Sequence, residues 1–266
     1  MVRTYWFLPI FYEAIGVLDL QPSTRSDRVE ACRPQWMMPH HCTGPRFIGQ
    51  RLPAWRHRRR SLFYSQGVRV LAFSDIHRDL EQAARLVEMS SEADLVIGAG
   101  DFGSVHEGLD EMIGALSGIE CPAVLVAGNN ERLEDLREAA ARLWPSATVL
   151  HGEDVEFDGT TFFGLGGGIP VTPWSWSYDL DEQEAAALLE ALPEGVILVV
   201  HSPPQGHCDV TAEGDHLGST AILEAIKEKS PRLVVCGHIH EAWGMESEEN
   251  GTTVVNLGPD GRFLDL

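Results

Sequence analysis

Five short apolar runs in this chain each end in residues able to bind a metal, and that repetition limits the possible folds more than any other feature. The run 68–73 is followed by Ser74-Asp75-Ile76-His77, the run 94–99 by Gly100-Asp101, and the run 123–127 by Gly128-Asn129-Asn130. The run 196–200 leads into His201, and 233–236 into Gly237-His238-Ile239-His240. Short, continuous, β-branched runs read as strands buried on both faces. Helix-period segments are expected between them at 79–89, 108–116, 131–143, 181–192 and 219–229, with 148–165 forming consecutive short strands around an Asp158-Gly159 turn. Such alternation builds α/β layers. Side chains delivered at the carboxyl ends of neighbouring strands then converge on one crevice.

A single Asp-x-His carries little information, and a lone His201 reads equally well as a core imidazole with one hydrogen bond. Five motifs in order carry far more, because seven buried polar groups would otherwise all need partners. Gly100, Gly128 and Gly237 precede three of the candidate ligands and permit tight turns and close backbone approach. The order Asp-x-His, Gly-Asp, Gly-Asn, His, Gly-His-x-His resembles the calcineurin-like metallophosphoesterase superfamily, in particular its small phosphodiesterase-like branch. The resemblance implies an α/β fold, a four-layer αββα sandwich of two mixed β-sheets flanked by helices. It also implies a dinuclear centre, with Asp75, His77 and His240 on the first metal, Asn129, His201 and His238 on the second, and Asp101 bridging both. Mixed carboxylate, amide and imidazole donors suit Mn²⁺, with Fe, Zn²⁺ or Ni²⁺ as further candidates, better than Mg²⁺ alone. In such a metal-dependent phosphohydrolase a hydroxide bridging the ions attacks phosphorus in line with the leaving oxygen, without a covalent protein intermediate.

The sequence departs from the family pattern at Asn130, where many members carry a histidine that protonates the leaving group or steadies the phosphate. An amide can donate to a phosphoryl oxygen but supplies no proton near neutrality. Asn130 is therefore expected to contact phosphate. Members lacking the histidine tend to favour diesters or activated esters, which makes a phosphodiesterase the leading expectation. The alternatives are a phosphomonoesterase, including a protein serine/threonine phosphatase, and a non-catalytic scaffold retaining the fold; in a scaffold, broken ligands would be expected. His207 and His216 are either replacement acids or ordinary loop residues, and Arg78 either reaches a phosphate or sits exposed at a helix start. Ser219 either caps its helix or leaves amides free for an anion. The loop carrying Trp174, Trp176 and Tyr178 either packs down as a lid or plug or stacks a nucleobase. A nucleotide is thus one candidate among small phosphoester substrates.

Charge divides the chain in two. Residues 1–65 hold 10 Arg against 4 acids, whereas the rest holds 10 Lys plus Arg against 36 Asp plus Glu. The segment 1–67 lacks sustained periodicity and reads as a poorly ordered basic extension, or as sequence upstream of a later start, ahead of a metallophosphoesterase domain at 68–266. The acidic body argues against a nucleic-acid polymer as partner. Five cysteines without a Cys-x-x-Cys pair read as buried free thiols in a reducing compartment. With no apolar stretch long enough to span a membrane and no signal-peptide pattern, a cytoplasmic location is expected.

Overall fold

The computed structural model describes residues 50–51 and 67–266, so the expectations for 1–67 lie outside the described residues apart from a two-residue strand, β1 (Gln50–Arg51). Strands and helices then alternate as β2 (Arg69–Phe73), α1 (Leu80–Met89), β3 (Leu95–Gly98), α2 (Leu109–Leu116), β4 (Ala123–Leu125), α3 (Leu133–Leu143) and β5 (Ala147–Val149). There follow β6 (Glu153–Phe157), β7 (Thr160–Leu165), α4 (Glu182–Leu189), β8 (Ile197–Val200), α5 (Thr220–Lys229) and β9 (Leu233–Cys236). The chain closes with β10 (Glu246–Glu249), β11 (Thr252–Asn256) and β12 (Arg262–Asp265).

These strands form two mixed sheets. One runs β12-β2-β3-β4-β5 and is parallel except for β12; the other runs β1-β6-β7-β8-β9-β11-β10, with antiparallel pairs at β6/β7 and β10/β11. The central strands are apolar throughout because both of their faces are covered. Leu71 and Phe73 of β2 pack with Leu86, Met112 and Leu136 of the first three helices, while Val70 and Ala72 pack with Phe162, Ile197 and Val199 of the other sheet. On the far side, Phe163, Leu198 and Val234 meet Ala185, Leu189, Ile222 and Ile226 of α4 and α5. The result is the four-layer αββα sandwich. Each large apolar side chain so buried contributes about 1.5–3 kcal/mol relative to exposure.

Strands β10 and β12 carry no apolar alternation to announce them. Glu246–Glu249 is an edge strand of alternating exposure, as an acidic edge that resists further pairing should be. Helix starts are set by polar caps: Asp79 accepts from the Gln82 amide at 2.9 Å, Asp181 forms a capping box with Glu184, and Ser219 accepts from the Ile222 amide at 3.2 Å. Cys208 and Cys236 are buried free thiols, and Cys121 is half-buried with its thiol pushed up to about 11 by burial. Among the described residues no helix is long and apolar enough to cross a membrane.

One carboxylate joins two helices. Glu182 at the start of α4 accepts from the Thr220 amide at 2.9 Å, the Ala221 amide at 2.7 Å and the Ser219 hydroxyl at 2.8 Å, so it satisfies the first turn of α5. Glu182→Ala is expected to lower unfolding stability by about 1.5–3 kcal/mol, read as a shifted denaturant midpoint at unchanged slope.

Candidate metal centre

The five strand ends deliver their side chains to one place by leaving the strand abruptly. Asp75, His77, Asp101 and His238 all have left-handed backbone, with φ of 54°, 40°, 58° and 67°. Side chains other than glycine rarely adopt this region. It is held here by loop-to-loop hydrogen bonds, from the Asp75 amide to the Gly100 carbonyl and from the His77 amide to the Asp101 carbonyl, each 3.0 Å. Gly100, itself at φ 91°, lies so close that a Cβ would sit 2.6 Å from Gly128 and 2.7 Å from His201 Nδ1.

All seven sequence-predicted residues lie in this region. His77 Nε2 stands 3.2 Å from His240 Nε2 and 3.6 Å from Asp101 Oδ2, and His240 Nε2 is 3.8 Å from Asp75 Oδ1. On the other side, His201 Nε2 is 3.3 Å from Asn129 Oδ1 and 3.5 Å from Asp101 Oδ1. The His238 ring packs against His201 at 4.9 Å between centroids. Asp75, His77 and His240, and separately Asp75, Asp101 and His201, place one donor atom each within 4.8 Å of one another.

The donors fit divalent ions. Atoms sharing an ion at roughly 2.0–2.2 Å stand about 3 Å apart, close to the separations found. His201 Nδ1 donates to the Ala99 carbonyl at 2.8 Å and His77 Nδ1 to the Gly103 carbonyl at 3.3 Å, which leaves both Nε2 lone pairs facing inward. The Asn129 amide is oriented in the same way: Nδ2 donates to Ser177 Oγ at 2.9 Å, and Oδ1 points to the centre.

Charge at the centre is balanced by neighbours. Burial would raise Asp101, yet the imidazoles of His201 and His77 overcome it and hold the carboxyl below its ordinary value. Burial, aided by the charge of His201, pushes His238 down to about 3, so it is a neutral donor. Asn130 donates from its amide nitrogen to Asp101 Oδ2 at 2.7 Å and from its backbone to Oδ1 at 2.9 Å. Its own Oδ1 accepts from the Val105 amide at 2.9 Å.

Three residues matter here that the sequence did not single out. Glu131 reads as the first residue of a helix, but α3 begins two residues later, and the buried carboxylate instead accepts from the backbone amides of Asp101 at 2.9 Å, Gly128 at 2.6 Å and Gly103 at 3.2 Å. Burial and the Asp101 charge push Glu131 up to about 7. An acid placed ahead of the true helix start is the signal that could have found it. Trp243 Nε1 donates to Asp75 Oδ2 at 3.3 Å, and Ser177 holds Asn129; neither carries a local pattern.

The remaining candidates separate. Arg78 pairs with Glu107 at 3.2 Å. Ser219 caps α5, and Glu182 occupies the amides an anion would need. His207 is bound by Ser247 at 3.1 Å and Glu249 at 3.2 Å, His216 by Asp209 at 2.6 Å, and neither lines the cleft that opens on the centre. Trp174 and Trp176 do line it, beside Asn130, His77 and His240.

Residues 68–263 match the profile of the calcineurin-like phosphoesterase superfamily domain. Metallophosphoesterase domain-containing protein 1 of Homo sapiens is 38% identical over 95 residues, which are 34% of this chain and 29% of that protein. The chain spans about a third of the length of the curated relatives it matches. Among solved structures, TT1561 of Thermus thermophilus aligns with a TM-score of 0.60 at 18% identity, covering 75% of this chain and 99% of that one. A dimetal phosphatase from Danio rerio aligns with a TM-score of 0.52 at 15% identity, covering 73% and 88%. Both share the fold.

Glu131→Gln replaces one of the two carboxylate oxygens with an NH₂ group, so that at least one of the backbone amides, that of Gly103 in the orientation that keeps the other two, faces a donor instead of an acceptor. A loss of about 1–3 kcal/mol of stability is expected, measured by thermal unfolding of the metal-stripped protein; an unchanged midpoint would remove Glu131 as the tie between the two loops.

Proposed function

The chain belongs to the calcineurin-like phosphoesterase superfamily, and from that premise we propose that it is a dinuclear-metal-dependent phosphodiesterase acting on small phosphoesters. The observation that carries this reading is Asp101, one of whose oxygens faces His201 and the other His77, so that a single anion is shared by two donor groups. We assign Asp75, His77 and His240 to one ion, Asn129, His201 and His238 to the other, and Asp101 to both. Mn²⁺ is the proposed ion, on the strength of the mixed donor set. When bound, the ions would supply Lewis acidity, lowering the pKa of a water toward neutrality and neutralising phosphoryl charge.

The chain's own residues orient and exclude. Asn130 fixes both oxygens of Asp101, and its Nδ2, 3.5 Å from Asn129 Oδ1, carries a second hydrogen that is only weakly engaged there and available to a phosphoryl oxygen. In hydrolysis the oxygen of water bonds to phosphorus, the bond from phosphorus to the leaving alcohol breaks with its electron pair going to that alcohol, and the alcohol gains a proton. Asn130 cannot supply that proton. Neither His207 nor His216 lines the cleft to replace it. Activated leaving groups are accordingly favoured, and a singly charged diester suits a cleft that no Lys or Arg lines among the described residues better than a dianionic monoester. A nucleotide fits this reading through Trp174 and Trp176, whereas a nucleic-acid polymer does not suit so acidic a body. Unpaired Cys121, Cys208 and Cys236 support a reducing compartment, for which the cytoplasm is our assignment.

The test is hydrolysis of an aryl phosphodiester and the matching monoester by metal-stripped protein refilled with Mn²⁺. Diester turnover should return with metal and vanish in Asp101→Ala, whose metal content by atomic absorption should fall below that of the parent; full activity in that variant would overturn the assignment. Metal binding without turnover of either ester would support a scaffold instead. Asn130→His is expected to raise monoester relative to diester turnover, and an unchanged ratio would remove Asn130 as the source of the preference.

A further inference from the structure

The cleft beside the centre measures about 480 Å³, and beyond the ligands it is lined by Pro170, Val171, Trp174, Trp176, Leu217 and Ile239. Its other polar lining is Asn130, Thr172, Thr211 and Glu241, and among the described residues no Lys or Arg lines it. Trp174 and Trp176 stack, 5.6 Å between centroids and 14° between planes. Val171, Trp174 and Leu217 remain 61%, 51% and 52% exposed on a strongly acidic chain, so the loop is not packed down as a plug. Surface apolar groups gathered in a concave site, with few polar ones, are the ordinary make-up of a small-molecule pocket.

The wall is also fastened to the centre. His106 Nε2 donates to the Trp176 carbonyl at 2.5 Å, the Tyr178 amide to the Asn129 carbonyl at 2.9 Å, and the Thr172 amide and hydroxyl to Asp179 at 2.8 and 2.7 Å. Asn129 is held to Ser177 at its side chain as well. The aromatic surface therefore keeps a fixed offset from the reacting position.

We infer that Trp174, Trp176 and Leu217 form a specificity wall that selects phosphodiesters whose retained alcohol is flat, apolar and uncharged. This rests on the phosphodiesterase reading above. The phosphodiester itself carries one negative charge, which the centre handles; a second anion on the substrate would share the cleft with Glu241 and, among the described residues, meet no Lys or Arg. Stacking on the indole face supplies the selection.

The test uses the full chain loaded with Mn²⁺ and three p-nitrophenyl phosphodiesters whose second alcohol is methyl, 2-naphthylmethyl or carboxylated 2-naphthylmethyl. The leaving group is common to all, and the methylene keeps the naphthyl ring from altering reactivity at phosphorus. The naphthylmethyl ester should exceed the methyl ester in kcat/KM by about ten- to a hundredfold, and the added carboxylate should remove at least about tenfold of that. Trp174→Ala should bring the naphthylmethyl to methyl ratio close to one, and Leu217→Arg should raise the carboxylated ester relative to the uncharged one; both residues are exposed, and circular dichroism checks the fold. Turnover of methyl and naphthylmethyl esters at equal kcat/KM would overturn the wall and leave the phosphodiesterase reading standing. Should none of the three turn over, the phosphodiesterase reading falls, and tryptophan quenching by an unreactive naphthylmethyl methylphosphonate decides the wall: saturable quenching lost in Trp174→Ala supports it, and no saturable quenching overturns it.

Discussion

Burying carboxyl groups where water is excluded is the constraint on which the rest of the centre depends. Asp75, Asp101 and Glu131 are all buried, and among the described residues none of them pairs with Lys or Arg. Each buried charge costs several kcal/mol unless hydrogen bonds and opposite charge offset it. The compensation comes from the backbone and from imidazoles: the His238 amide and Trp243 indole on Asp75, the Asn130 amides on Asp101, and three loop amides on Glu131. Hydrogen bonds of this kind gather carboxylate oxygens and imidazole nitrogens at one place, the donor set that divalent ions take.

That arrangement explains why the loops are strained. Aiming backbone amides at a carboxylate while turning the side chains inward requires left-handed residues at Asp75, His77, Asp101 and His238, each costing on the order of 1–2 kcal/mol. The two sheets supply the offset. Buried strands β2, β3, β4, β8 and β9 are rigid against their neighbours on both faces, so the strand ends cannot relax without disturbing cores such as Phe73 with Phe102, an edge-to-face pair at 6.1 Å. Strain of this kind persists where the surrounding fold over-determines it.

The same physics decides what could be read from the sequence. Strands covered on both faces must be apolar at every position, and polar residues that follow them stand out against that background, which is why the convergence of the seven candidate donors and the layered architecture were legible. Edge strand Glu246–Glu249 has no such requirement and looks like surface. Glu131 was hidden because an acid before a leucine-rich helix reads as first-turn charge, although its carboxylate is turned into the centre rather than toward the helix. Ser177 acts on Asn129 from 48 residues away, a relation created by the tertiary fold alone. Helix starts shifted by one or two residues for a related reason: the capping side chains Asp79, Asp181 and Ser219 belong to the pattern but not to the helix.

Among the described residues, the cleft's lack of cations follows from where the arginines are used. Arg69, Arg78, Arg85, Arg137, Arg142 and Arg262 all pair with surface acids, and Lys227 and Lys229 do the same on α5. Such exposed pairs add little stability, typically below about 1 kcal/mol each, but among the described residues they leave few basic groups to recognise a phosphate at a distance. On the proposed phosphodiesterase reading, recognition of the phosphoryl group then falls to the centre itself, and recognition of everything attached to it falls to uncharged surface. An acidic body repels anions at long range, so a substrate must gain its affinity at short range, through contact with the donors on one side and apolar area on the other. Trp174, Trp176 and Leu217 are the side chains placed to provide that area, and the hydrogen bonds of His106 to the Trp176 carbonyl, of Asn129 to Ser177 and of Tyr178 to the Asn129 carbonyl are what keep the tryptophan loop in register with Asn129.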